Sequence, residues 1–247
     1  MTDTPDTLQD ALREHGYVAM AGSDVQAWLG SAWTGWSAFA DSWDDLPEDP
    51  HMADGGRYRR RRYGVFEIVR GEVRRSSHQP HYQSKTYNRL NGGVARWFEP
   101  ISSAIGAHPI LLALIAQIGT LFEAARTDQA RFGRWHVEVH QFRIEASATG
   151  QGHPTPEGAH RDGVDFAFVM MVRRRNVASG VTQISDALGN ALGAFTLAQP
   201  GDAVFLDDHR IFHGVTPIEA LDPAKLAVRD VLVITFTRTD GAAEAVR

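Results

Sequence analysis

Hydrophobic positions follow two different periods along this chain. In the first half they recur every three to four residues, and in the second half they alternate. The helical spacing predicts a helix over Thr7 to His15 and another over Ser23 to Phe39, with Ser23-Asp24 as N-cap candidates. Trp28, Trp33, Trp36 and Phe39 fall at roughly helical intervals and read as a core-facing stripe. A further helix is expected over Gly93 to Ile105. A stronger one is expected over His108 to Arg126, where Pro109 suits the first turn and Ile110, Leu111, Leu114, Ile115, Ile118, Leu121 and Phe122 share one face.

From Trp135 the period becomes two. Val137, Val139, Gln141 and Arg143 share one strand face, and His140, Phe142 and Ile144 the other. Phe166 to Val172, Val181 to Ser185, Ala194 to Leu197, Ala203 to Leu206 and Val231 to Phe236 are further strand candidates, separated by turns such as Asp186 to Gly189 and Pro200-Gly201-Asp202. Short strands with tight turns point to an antiparallel jelly roll. The expected class is mainly β with flanking helices (α+β), organised as a single domain over residues 1–247, with a helix-rich region over 1–130 and a jelly-roll core over 135–238. Between the halves, Asp41 to Gly56 reads as an acidic loop. The run Arg57 to Arg62 reads as a solvated charged face, with an anion-binding patch as the second reading.

Composition narrows the function classes. A net charge of -5 argues against general nucleic-acid binding, which needs a basic face. There is no cysteine, so disulfides, thiolate metal sites and cysteine nucleophiles are excluded. Met1 to Asp6 lacks the basic start and apolar run of a secretory signal, and Pro109 to Phe122 is too short to span a bilayer. The expectation is a cytoplasmic protein with no membrane or nucleic-acid partner, monomeric or homo-oligomeric.

The chemistry concentrates in His160-Arg161-Asp162, with His213 fifty-one residues beyond Asp162 and Arg229 sixteen beyond His213. On an extended segment His160 and Asp162 point the same way. Two imidazoles and a carboxylate can cap one face of iron(II) and leave the other open for a bidentate co-substrate and dioxygen. His209 is the rival for the distal position. Arg229 could grip a carboxylate by two parallel hydrogen bonds, or form a strand-end ion pair with Asp222.

Four ordered blocks carry a resemblance: Val139 to Ile144, Pro156 to Gly163, His213 to Ile218 and Arg229 to Phe236. They resemble the bacterial 2-oxoglutarate/iron(II) dioxygenase family that includes the free L-isoleucine hydroxylases. The similarity runs over roughly residues 57–238, taking in the segment from Gln83-Ser84 to Gly93. The resemblance implies a double-stranded β-helix, iron(II) held by His160, Asp162 and His213, and Arg229 on the C5 carboxylate of 2-oxoglutarate. It implies hydroxylation coupled to decarboxylation of that co-substrate, with Asp162 standing where related halogenases have a small residue. Val231 occupies the position where many relatives have a hydroxyl, so Gln141 or a tyrosine is expected as the second contact. A free amino-acid substrate would need a cation and an anion in the pocket; Arg143 is expected as the first and Glu157 as the second. The competing readings are the same chemistry on a peptidyl or carrier-bound intermediate, with the Arg57 to Arg62 run engaging an anionic handle, and a jelly-roll binding protein without catalysis.

Overall fold

The computed structural model describes residues 5–88, 90–126 and 134–239, so Met1 to Thr4 of the N-terminal reading lie outside it. Helix α1 (Pro5–His15) leads into strand β1 (Tyr17–Met20). The single helix expected over Ser23 to Phe39 is instead three pieces: α2 (Gly22–Leu29), a 3-10 turn (Gly30–Trp33) and α3 (Trp36–Asp41). Gly30 (φ 56°) and Gly35 (φ 88°) break it, because both adopt backbone conformations closed to a helix interior. Ala21, not Ser23 or Asp24, is the N-cap of α2.

The arginine run belongs to a long strand, β2 (Arg59–Val69), which the reading of a solvated face missed. It pairs with β3 (Glu72–Arg75) and precedes the short hairpin of β4 (His81–Tyr82) and β5 (Ala95–Arg96). The helix expected over Gly93 to Ile105 does not form. β5 occupies its start, and only α4 (Ser103–Gly106), beyond Pro100, is helical. Helix α5 (Pro109–Ala125) follows, with the His108 imidazole accepting from the Ile110 N–H at its start (3.3 Å).

The strand half comprises β6 (Arg134–Ala146), β7 (Phe166–Arg175), β8 (Val177–Ser179), β9 (Thr182–Ser185), β10 (Ala191–Phe195), β11 (Ala203–Asp207), β12 (Phe212–Val215), β13 (Ile218–Ala220) and β14 (Ala227–Thr239). Seven strands form the larger sheet in the order β1-β11-β7-β14-β6-β2-β3, every pair antiparallel. Smaller sheets, β10-β9-β12 and β13-β8, complete the double-stranded β-helix.

The two faces of the large sheet have different duties. On one, Val137, Val139, Phe168, Ile234 and Phe236 pack with Ile110, Leu114, Ile118 and Phe122 of α5 in the main core. Each such aliphatic side chain contributes about 1.5–3 kcal/mol by leaving water. On the other face, Ala167, Met171, Val204, Leu206 and Val231 pack with Ile184 and Leu197 between the sheets. The space the apolar contacts leave open on this second face is the site. No helix among the described residues is long and apolar enough to cross a membrane.

Arg143 and Gln141 fall on the helix-facing side, which corrects both expectations. Gln141 is buried and donates to the Ser42 hydroxyl (2.9 Å), so it faces away from the cavity and cannot contact a co-substrate there. Arg143 makes a two-pronged pair with Asp230 (2.7 and 2.8 Å) and reaches Asp44 (2.7 Å). A substrate carboxylate in the cavity would have to compete through the sheet. Both residues share a face, as the alternation predicted, but that face meets helices. Asp230 is fully buried, so Arg143→Ala leaves it only the longer contact with Arg173 (3.9 Å) and is expected to cost about 3 kcal/mol. Urea unfolding checks this; a variant of unchanged stability would return Arg143 to consideration as a substrate contact.

Candidate active site

The strand register lays out one wall of a cavity of about 430 Å³. Counting across β2, β6 and β14, the rows are Arg59–Ile144–Arg229, Arg61–Phe142–Val231 and Tyr63–His140–Val233, with Glu138 and Thr235 opposed in the next. Alternation puts the even positions of β6 and the odd positions of β14 on this wall. The opposite wall carries His160, Asp162 and His213.

These three side chains converge. Their ligand atoms lie within 4.8 Å of one another. His160 Nε2 is 3.5 Å from Asp162 Oδ1, and His213 Nε2 is 3.6 Å from Asp162 Oδ2. The backbone brings them together: His160 and His213 exchange both N–H···O bonds (2.9 Å each) as an isolated antiparallel bridge. His160 Nδ1 lies 3.0 Å from the Gly158 carbonyl, which assigns a proton to Nδ1 and leaves Nε2 directed at Asp162, where a metal would take the place of its proton.

Asp162 is placed from behind. The buried Asp208 carboxylate accepts from the backbone N–H groups of Asp162 (2.8 Å), Gly163 (2.7 Å) and Val164 (3.1 Å). Gln83 donates to the Asp162 carbonyl (3.0 Å) and is itself held by Asn88 (3.0 Å). Removing Asp208 leaves three loop N–H groups without their acceptor. Asp208→Ala is therefore expected to weaken metal binding about 10–100-fold, as loss of an outer support does; metal titration reads it out.

Electrostatics separate the two histidines. Burial works against a charged His160, yet the Asp162 and Glu157 carboxylates and the Gly158 carbonyl outweigh it and raise the imidazole to about 9. Burial and the neighbouring His160 lower His213 to about 4. Asp162, although buried, is held well below the usual carboxylate range by His160 and His213. Asp208 is pushed up to about 6 by burial and by Asp162.

Glu157 reaches the same cavity, its Oε1 3.5 Å from His160 Nε2 and its Oε2 buried without a partner. His209, the rival for the distal position, instead points to Asp165 (3.1 Å) and is largely exposed. Arg229 is only 2% exposed, lines the cavity, and has an unpartnered Nε. Asp222, its suggested strand-end partner, pairs with Lys225 (3.0 Å). Burial first, and then Arg174, lower the Arg229 guanidinium to about 10. Among the described residues it has no ion-pair partner, and a buried cation in that state can take up a carboxylate.

A second group of donors was not foreseen. His81, Glu138 and His140 also bring ligand atoms within 4.8 Å of one another. These donors are already engaged: His81 Nδ1 meets Glu138 (3.2 Å), Tyr63 donates to Glu138, and Arg61 donates to His140 Nδ1 (2.5 Å). Glu138 and His140 stand on one face at period two, a signal the alternation carried. His81 and Arg96 are brought in by a pairing of two two-residue strands that no periodicity announces.

Comparison with known proteins agrees with the geometry. The model of the 2OG-Fe dioxygenase family matches residues 40–235. The 3(1)-hydroxy-L-isoleucine 4-dioxygenase of Pantoea ananatis (strain AJ13355) is 25% identical over 176 residues, 69% of either chain. The L-isoleucine-4-hydroxylase of Bacillus thuringiensis is 25% identical over 158 residues, 64% of this chain and 65% of that one. Among solved structures, a bsmA homolog from Methylobium petroleophilum PM1 is 38% identical with a TM-score of 0.88, over 99% of this chain and 97% of that one. The IDO structure from Bacillus thuringiensis shares the fold at 15% identity and a TM-score of 0.79, over 97% of this chain and 98% of that one. With these matches over a double-stranded β-helix, the chain belongs to the 2OG-Fe dioxygenase family and is an enzyme of iron(II) and 2-oxoglutarate.

Proposed function

We propose that the chain, acting as one dioxygenase domain, hydroxylates an unactivated C–H of a free L-amino acid or close relative. The observation that carries this reading is one cavity holding both a His160–Asp162–His213 cluster and the unpaired guanidinium of Arg229. The donor set suits iron(II): two imidazoles, one carboxylate and no thiolate. Its surroundings suit a cation too, since Glu157 and Asp208 flank it. The His81–Glu138–His140 group is the weaker candidate for iron. The Arg61 guanidinium sits against His140, and Tyr63 and His81 occupy Glu138.

Iron held by His160, Asp162 and His213 would supply dioxygen activation coupled to conversion of 2-oxoglutarate to succinate and carbon dioxide. Arg229 binds the distal carboxylate of the co-substrate. Asp162 contributes the charge that retains the metal, and His160 is kept in one tautomer by Gly158. Glu157 accepts from the substrate ammonium.

The free amino acid is favoured over a carrier-bound one by two considerations. Relatives at 25% identity are an L-isoleucine-4-hydroxylase and a hydroxy-L-isoleucine dioxygenase. The outward-facing arginines of the run are engaged by the protein itself, since Arg57 pairs with Glu48 (2.9 Å), Arg60 with Glu145 (2.9 Å), and Arg62 with the carbonyls of Pro100 and Asp45, which disfavours an anionic handle docked on the surface. Incubation with iron(II), ascorbate, 2-oxoglutarate and a mixture of free L-amino acids is expected to release succinate and add one oxygen atom to one of them, read by mass spectrometry. Succinate release with no oxygenated amino acid would overturn the free-substrate reading.

A further inference from the structure

Three arginines face the active-site cavity from the side of β2 and β5, and Asp49 is the carboxylate within ion-pair distance of any of them among the described residues, with Glu157 and Glu138 acting on Arg96 from farther off. Arg59 bonds Asp49 (2.7 Å), and Arg61 lies 3.8 Å from that same carboxylate. Arg96, on β5, has no hydrogen-bond or ion-pair partner among the described residues. All three are nearly inaccessible, at 7%, 3% and 3% exposure, and all line the cavity. Each retains a buried N–H group without an acceptor: Arg59 Nη2, Arg61 Nε and Arg96 Nε.

Aromatic faces explain some of this. The Arg61 guanidinium is 3.6 Å from the Phe98 ring centroid and 4.4 Å from that of Phe142, and Arg96 is 5.6 Å from Phe98. Such contacts offset the charge of a guanidinium without satisfying its N–H groups. Arg61 is also committed to His140. Arg96 is the one of the three whose guanidinium is uncommitted. The register separates this cluster from Arg229, which stands two strands away from Arg59 across Ile144. The cavity thus holds two distinct cationic positions, whereas the co-substrate's distal carboxylate can occupy only one.

We propose that Arg96, supported by Arg59 and Arg61, is the subsite for the carboxylate of the prime substrate. This inference rests on the dioxygenase reading above and deepens it. It replaces Arg143 in the role the alternation had suggested. It also selects against a thioester- or amide-tethered substrate, whose acyl carbon carries no free carboxylate.

The test uses the iron-loaded full chain with 2-oxoglutarate, the twenty free L-amino acids, and the amino acid that the parent oxygenates against its own amide as a matched pair. Arg96→Met is expected to bind 2-oxoglutarate within about two-fold of the parent. The KM of the amino acid that the parent oxygenates should rise at least 100-fold, with partial return in Arg96→Lys. The amide should neither compete with nor replace the acid. As an independent readout, Arg96→Met should melt at a higher temperature than the parent, since it removes an unpaired buried charge. An unchanged KM in Arg96→Met, turnover of the amide on a par with the acid, or succinate release that no free amino acid stimulates would each overturn the subsite and leave the dioxygenase reading standing. Failure of the parent to bind 2-oxoglutarate would instead bring down the dioxygenase reading, and the subsite with it.

Discussion

Asp162→Ala is expected to lower iron occupancy to background and to reduce 2-oxoglutarate turnover by at least about 1,000-fold, equivalent to roughly 4 kcal/mol of lost stabilisation. Among the described residues Asp162 is the carboxylate that meets both His160 and His213, at 3.5 and 3.6 Å. Its removal leaves two imidazoles, one of which takes up a proton readily because Glu157 remains beside it. A metal must then displace that proton with no carboxylate left between the two imidazoles. The paired variant is Glu138→Gln, which alters the other donor group. Iron stoichiometry should stay at one per chain there, because Glu138 serves Tyr63 and His81. Metal analysis after anaerobic loading separates the two. Loss of iron in Glu138→Gln with retention in Asp162→Ala would reverse the assignment.

The second large effect falls on Arg229, and it has opposite signs for stability and for binding. Burial and Arg174 depress its guanidinium from the ordinary arginine range to about 10, which corresponds to about 3 kcal/mol of penalty in the fold. Because the folded value is the lower one, the penalty applies in full below about pH 10 and fades only as pH rises beyond it. At neutral pH, Arg229→Met is therefore expected to unfold at a higher denaturant concentration than the parent. Binding of 2-oxoglutarate should weaken by about 2–5 kcal/mol, the cost of removing one partner of a buried charge pair, or roughly 30- to 4,000-fold in Kd. Chemical denaturation and anaerobic titration measure the two effects on the same sample. A variant less stable than the parent that still binds the co-substrate normally would mean that Arg229 is a structural cation with another partner.

Much of this site is legible in the sequence because its strongest constraints are local. His160-x-Asp162 is a short spacing, and period two places its side chains together. The strand around Arg229 declares itself by a run of β-branched residues, and α5 by its apolar face. What the alternation could not say is which face of β6 meets the helices. Gln141 and Arg143 share a face as expected, but the helices cover it. The cavity side belongs to Glu138, His140 and Phe142. A strand's period is written in its residues, while its two faces stay equivalent until tertiary packing chooses between them.

The arginine run shows the same limit from the other direction. Four consecutive charged residues resemble a solvated face, yet two of them point inward at 7% and 3% exposure because Asp49, Phe98 and Phe142 are waiting there. Those partners come from an acidic loop, a segment whose spacing predicted a helix that does not form, and a distant strand, so no local pattern could have announced them. The break of the first long helix at Gly30 and Gly35 was visible as two glycines, but each costs a helix only about 1 kcal/mol. Burying Val25 and Leu29 of α2 together with Phe39 and Ala40 of α3 in the one main core is what favours the turn, and that packing is not written locally.

The most direct measurement is diffraction at the iron absorption edge from crystals grown anaerobically with iron(II) and 2-oxoglutarate. The prediction is one anomalous peak, bonded to His160 Nε2, Asp162 and His213, with the distal carboxylate of the co-substrate on Arg229. A peak among His81, Glu138 and His140, or a co-substrate carboxylate away from Arg229, would contradict it.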